Sequence, residues 1–184
     1  KKYREKAKKI NQSVTACLVT LGGGAYELAY IKIARALAKI SGIEKLTFVL
    51  GPQLESRAEF DVRRELPAAN VVGGVKNMDE MLWEHDLAIV SAGYLKIEAA
   101  LTSTPAMMIA TQWHQIPLGQ QFATATQMPF LGYMGFISSG MVESSISTLL
   151  DKSTRQCMVD SYRGVVDSQG AERVWRELKP LVLG

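Results

Sequence analysis

Two cysteines and two histidines in 184 residues leave little from which to build a disulfide framework or a metal centre. Cys17 lies in an apolar run and Cys157 in a late helical stretch. Read as two unpaired structural thiols, they suit a reducing compartment, and the expectation is a cytoplasmic protein. His85 and His114 stand apart, with no cysteine pair beside them at ligand spacing, so no metal site is expected. No apolar run approaches the length of a membrane span. The chain also lacks the G-K-[ST] of a nucleoside triphosphatase, the full G-x-G-x-x-G of a dinucleotide site and the nucleophile elbow of a serine hydrolase. No two carboxylates stand out as an acid/base pair. These absences favour binding over bond breaking, and they leave the identity of any catalytic residue open.

Excess charge is lacking too, once its position is considered. The formal net charge is +3, but residues 1–9 hold six basic residues and one acid, so the remainder sums to about −2. That distribution gives no nucleic-acid footprint. The leader has neither an apolar core nor a cleavage pattern and does not read as a signal peptide. It reads as a solvated helix end or interdomain linker, or, more sharply, as a weak membrane-surface patch. Residues 1–12 are expected to form this basic linker and residues 13–184 a single domain, long enough to bury a sizeable core.

What is present is alternation. Val14–Leu21 is a near-continuous apolar run, as suits a parallel strand buried on both faces, and Gly22, Gly23 and Gly24 end it. A helix is predicted over 25–40, with Leu28, Ile31, Ala34 or Arg35, and Ala38 on one face, widened by Ile33 and Leu37. Further strands are predicted at 46–50, 70–72, 87–90, 106–110 and 130–133. Helices are predicted at 57–66, 78–84 (capped by Asn77), 94–101, 118–127, 142–150, 154–165 and 171–178, with Gly140, Asp151 and Gly170 as breaks. Six such alternations mark an α/β Rossmann-like parallel sheet of about six strands with helices on both faces. Ligands bind such sheets past the strands' carboxyl ends, where the winding reverses. In the usual strand order the first and fourth strands are neighbours, and the turns Gly22–Gly24 and Ser91–Gly93 face one crevice.

The stretch from Asp86 to Gln127 carries the most information. A strand ends in Ser91, Ala92 and Gly93, and a helix with one acid, Glu98, follows. A small-residue turn admits an anion to backbone N–H groups, and a carboxylate one turn on can accept from sugar hydroxyls. Gln120 and Gln121, expected at the start of the next helix, carry amides that both donate and accept. Each has a plainer reading: a tight turn at Gly22–Gly24, a helix-stabilising acid at Glu98 and solvated amides at Gln120 and Gln121. Trp113 and His114 lie in the preceding loop, where His114 reads as a general base or a partly exposed loop residue. His85, beside Trp83, reads as a capping or packing residue.

These residues resemble the C-terminal, donor-binding half of the GT-B superfamily. The likeness is to the transferase that moves N-acetylglucosamine from UDP onto the peptidoglycan lipid precursor. It extends to the UDP-sugar hydrolase of pseudaminic acid synthesis and its spore-coat polysaccharide relatives. It rests on Leu18–Gly24, Asn70–Leu82, Asp86–Gly93, Glu98–Leu101, Thr104-Pro105, Gly119–Gln121 and, for the hydrolase branch, Gly170–Val174. The resemblance implies one half of a GT-B fold that binds a UDP-sugar or related nucleotide-sugar, without a metal or other cofactor. Gly22, Gly23, Gly24 and Gly93 would lie at the diphosphate, backbone near Val75 at the uracil, Glu98 at the ribose hydroxyls, and Gln120 and Gln121 at the sugar or phosphate; Ser91 would belong to the same nucleotide-sugar site.

The sequence departs from the pattern at Ala92, Tyr94 and Leu95, where the families usually show a second glycine and then serine or threonine. A phosphate-binding hydroxyl is missing there, and Tyr94 adds bulk. Gln120 stands where an asparagine often precedes the glutamine. GT-B enzymes hold their acceptor site and usual catalytic base in the other, N-terminal domain. The expected partner is therefore that domain, in cis or in trans, and binding without turnover is expected of this chain alone. The competing expectation is a degenerate, non-catalytic subunit that docks on a separate acceptor-domain protein through the apolar surface near Met134–Phe136 or the helical C-terminus. A dinucleotide-binding oxidoreductase is disfavoured by the absent G-x-G-x-x-G and by the lack of a clear acidic ribose ligand after the second strand.

Overall fold

The computed structural model describes residues 3, 8–24, 26–53 and 56–183, excepting the side chains of 56, 57 and 183. The strands are β1 (Ala16–Thr20), β2 (Lys45–Leu50), β3 (Asn70–Gly73), β4 (Leu87–Ser91), β5 (Ala106–Ala110) and β6 (Phe130–Tyr133). They form one sheet in the order β3-β2-β1-β4-β5-β6, and every pairing is parallel. β4 and β5 are buried at every position, as their unbroken apolar runs require of a sheet covered on both faces. The winding reverses between β1 and β4, where Thr20 pairs with Val90, so the two small-residue turns are adjacent, as predicted.

The helices are α1 (Glu27–Leu37), α2 (Ser56–Glu65), α3 (Met78–Trp83), α4 (Leu95–Leu101), α5 (Gln115–Thr126), α6 (Ser139–Leu149), α7 (Lys152–Tyr162) and α8 (Gly170–Leu183). In one group α1 packs with α2 and α6; in the other α4 packs with α3 and α7, and α7 with α5. The buried stripe of α1 differs from the predicted one. It runs through Ala29, Tyr30, Ile33, Ala34 and Leu37, and Leu28 is 73% exposed. Tyr30 sets this phase: its hydroxyl accepts from Leu21 N and donates to Val49 O, tying α1 to the ends of β1 and β2.

Other predicted boundaries moved for local reasons. Gly140 does not break a helix but sits in the first turn of α6, which Ser138 caps by accepting from Met141 N. Asp151 caps α7 through Thr154 N. Asn77 occupies the N-cap position of α3 without a cap bond, and its amide donates to Glu80 instead. α8 continues through Pro180 to Leu183, on a helix so exposed that water can satisfy the carbonyl the proline leaves unpaired.

The sheet's amino edge is closed by polar side chains. Asp86 accepts from Asn11 Nδ2, Thr15 N, Thr15 Oγ1 and Ala16 N, at 2.8 to 3.0 Å. Lys8 donates to Leu82 O, His85 O and Thr104 Oγ1. Tyr3 is buried with its ring 5.2 Å from that of Trp83, and Ile10 belongs to the core. The described leader residues Tyr3, Lys8 and Ile10 therefore dock on the domain rather than standing in solvent. His85 is buried between Met81 O and Thr47 Oγ1, a packing role as expected. Cys17 is buried, and burial pushes its thiol up to about 12. Cys157 is exposed, against the expectation of a structural thiol, because it falls on the outer face of α7. No helix among the described residues is long and apolar enough to cross a membrane.

Candidate functional site

At the carboxyl edge the strands end in small residues, and two cavities open on either side of α4. The first, of about 480 Å³, lies over β1, β2 and β3. Gly22, Gly23, Gly51, Val75 and Glu98 are among its walls. Gly22 has φ +90°, a conformation that suits glycine, and it sets the turn after β1. Gly51 is as constrained by packing: a Cβ there would lie 2.3 Å from Gly22 O. No local pattern marks Gly51, because its contact with the β1 turn exists only once β1 and β2 are paired.

Glu98 projects from α4 into this crevice. Its carboxylate receives no hydrogen bond from a described residue, and it is partly buried. Burial, and then the charge of Asp79, raise its pKa above the ordinary carboxylate value. A half-buried acid without a donor is an acceptor site left open. Ser91 lies between the two turns: its Oγ is 3.9 Å from where a Cβ on Gly22 would stand and 3.5 Å from that on Gly93. Its hydroxyl also has no hydrogen-bond partner among the described residues.

The second cavity, of about 610 Å³, lies between α4 and α5. Gly93, Lys96, His114, Gln115 and Gln121 supply its polar walls, and Ile97, Leu118 and Phe122 much of the apolar lining. Gln115 Oε1 accepts from Thr111 N and Oγ1, which orients that amide beside Gly93. Lys96 folds back so that Nζ donates to Ala92 O at 2.5 Å and Gly93 O at 3.0 Å. Neither Gln115 nor Lys96 was singled out by sequence reading: lysine on a short helix reads as solvated, and nothing local marks it as buried.

The predicted site residues therefore divide. Gly22, Gly23, Val75 and Glu98 share the first cavity, and Gly93 and Gln121 line the second, with Ser91 between. Gly24 and Gln120 line neither. A Cβ on Gly24 would lie 2.3 Å from the Tyr26 ring, so that phenol already covers the glycine. α5 begins at Gln115 rather than 118, because Pro117 fits a first helical turn. Gln120 and Gln121 thus sit in the second turn, not at the helix start, and both are exposed.

No family model matches the chain, and no curated protein matches it. Solved structures do. The crystal structure of Acinetobacter baumannii MurG aligns over 97% of this chain and 52% of its own, at 18% identity and a TM-score of 0.75. A co-structure of S. aureus MnaA with UDP aligns over 90% and 46%, at 12% identity and a TM-score of 0.68. CalG4, the calicheamicin glycosyltransferase, aligns over 90% and 42%, at 14% identity and a TM-score of 0.62. The chain spans about half the length of each. Its fold is that of one half of a GT-B chain.

Proposed function

We propose that this chain is the nucleotide-sugar-binding half of a GT-B-type glycosyltransferase or nucleotide-sugar hydrolase, and that it holds a UDP-sugar across the two cavities flanking α4. The observation that carries the proposal is Glu98, a partly buried carboxylate without a donor on the wall of a crevice at the topological switch point. Ribose hydroxyls supply the missing donors. The open backbone of Gly22 and Gly23 takes the diphosphate, the segment at Gly74–Val75 takes the base, and Gln121 meets the sugar. In this scheme backbone N–H groups, rather than a metal, stabilise the leaving diphosphate.

The MnaA co-structure with UDP lends the nucleotide its support. The catalytic base and acceptor site belong to a partner domain, in cis or in trans, and the chain alone binds without turnover. Two free cysteines fit a cytoplasmic location. Calorimetry with UDP and UDP-N-acetylglucosamine tests the assignment: wild type binds both, and Glu98→Ala weakens both at least tenfold, as loss of hydrogen bonds to a charged group should (about 1.5–3 kcal/mol). No binding by wild type, or an unaltered affinity in the variant, overturns it.

A second reading, a non-catalytic subunit docking on a separate acceptor-domain protein, is favoured by one observation. Exposed Trp113 and Phe136 cluster on the half-buried Tyr133, with Trp113 stacked on Tyr133 at 4.1 Å. α8 adds exposed Trp175, Leu178 and Leu181. Turnover by a reconstituted two-domain protein separates the readings.

A further inference from the structure

The cavity between α4 and α5 contains a cation that the nucleotide scheme does not use. Lys96 is only 6% exposed, and no carboxylate pairs with it among the described residues. Two of its three ammonium protons go to the carbonyls of Ala92 and Gly93, and the Phe122 ring lies 5.7 Å from Nζ. Its burial lowers its pKa from the ordinary lysine value. None of the residues lining this cavity is acidic. A buried cation met only by neutral dipoles is a costly arrangement, and an anion delivered by a ligand relieves it.

We infer that this cavity is the sugar subsite and that Lys96 makes it selective for a sugar carrying a carboxylate. The inference rests on the nucleotide-sugar reading of the neighbouring crevice. Lys96 and Glu98 are two residues apart, roughly 200° around the helix, so they face opposite sides of α4. A ligand whose ribose meets Glu98 and whose diphosphate passes the Ala92–Gly93 turn delivers its far end beside Lys96. Ile97, Leu118 and Phe122 offer an apolar wall to the C–H faces of a sugar ring, and Gln121 offers hydrogen bonds to its hydroxyls. The third ammonium proton then meets the sugar's carboxylate in a charge-assisted hydrogen bond.

Titration of UDP, UDP-glucose and UDP-glucuronate into the chain at one ionic strength tests the inference. Wild type should hold UDP-glucuronate about tenfold more tightly than UDP-glucose, the size of one hydrogen bond to a charged group. In Lys96→Met, and in Lys96→Gln, which keeps a donor for the turn carbonyls, that ratio should fall to about one. Equal affinity for the two sugars in wild type overturns the inference without any variant. So does a ratio preserved in the variants while all three ligands weaken alike, which assigns Lys96 to the diphosphate or to holding the turn. If UDP itself fails to bind, the nucleotide reading falls and this inference with it; if UDP binds without sugar preference, only this inference falls.

Discussion

Strands β1 and β4 lie side by side, yet their two ends are built to opposite rules. At the amino edge Asp86 collects four donors and Lys8 reaches three acceptors, drawing together segments 70 to 96 residues apart. Arg155 also lies there, donating to Gln12 O; its Nε is the lone buried side-chain atom without a partner among the described residues. At the carboxyl edge, among the described residues, the side chains of Ser91 and Glu98 make no hydrogen bond, Gly22 takes a left-handed turn, and Lys96 is buried with only the carbonyls of Ala92 and Gly93 to meet its charge. Unmade hydrogen bonds are costly inside a protein and rare by chance. At the amino edge Arg155 Nε is the exception among bonds that join distant segments of the fold; at the carboxyl edge the open groups of Ser91 and Glu98 lie at the crevice proposed for the ligand.

The largest expected effect lies at the closed edge. Asp86→Ala removes the shared acceptor of Asn11, Thr15 and Ala16. It should cost about 2–3 kcal/mol, an allowance of roughly one per hydrogen bond reduced for partial exposure. For a chain of this size that is about 4–12 °C in melting temperature. Affinity for UDP should change far less than in Glu98 variants. Burial alone would raise the Asp86 pKa, but the bonds from Thr15, Ala16 and Asn11 outweigh it and bring the group below its ordinary value. Its contribution is therefore present at neutral pH and is lost as pH falls through the lowered folded-state value. A thermal melt series from pH 7 to 3 should show wild type converging on Asp86→Ala. A variant as stable as wild type at pH 7 would erase the contrast between the edges.

Next in size is Glu98→Gln, at the open edge, where binding and stability should move in opposite directions. Loss of the charge should weaken UDP about tenfold. Because burial and Asp79 raise its pKa, the folded protein holds the Glu98 proton to higher pH than the unfolded chain does. Stability therefore falls as pH rises from the ordinary carboxylate range through the raised folded value, and the deficit persists to neutrality. The glutamine variant lacks that deficit. Its ligand-free melting temperature should exceed that of wild type at pH 7, and the gap should close in acid below the ordinary glutamate range. Wild-type affinity for UDP should drop over the same acidic window, while that of the variant stays flat. A variant that loses stability instead would make Glu98 a structural residue like Asp86.

The two edges were not equally legible in the sequence. The fold was: apolar runs at Leu87–Val90 and Ala106–Ala110 announce buried parallel strands, and the reversal between β1 and β4 follows from the usual winding. At the open edge Gly22 and Glu98 were legible, because a strand, a small-residue turn and an acid on the next helix form a local pattern. Lys96, Gln115 and Gly51 were not. Their surroundings are made by segments distant in the chain, and local patterning assigns lysine and glutamine to solvent. The closed edge was almost unreadable for the same reason. Lys8 sits in a run that reads as a solvated basic leader, and its acceptors Leu82, His85 and Thr104 lie 74 to 96 positions away.

The smallest predicted effect concerns Tyr26, which belongs to the open edge but partly closes it. Its ring stands over Gly24, its hydroxyl receives a bond of 3.4 Å from Gln112, and it occupies the N-cap position of α1 without capping it. On the proposed function, a diphosphate reaches Gly24 only when the phenol moves aside. Tyr26→Ser removes the cover and adds an N-cap acceptor. Removing such a cover raises apparent affinity by the inverse of the competent fraction, so the variant should bind UDP more tightly than wild type. The added cap, up to about 1 kcal/mol, offsets the packing lost with the ring, so the melting temperature should move by no more than about 4 °C. Tighter UDP binding with near-constant stability extends the contrast to Gly24, since the site gains by losing a contact. Weaker binding would mean that the ring touches the nucleotide, and that Tyr26 is a wall of the site rather than its cover.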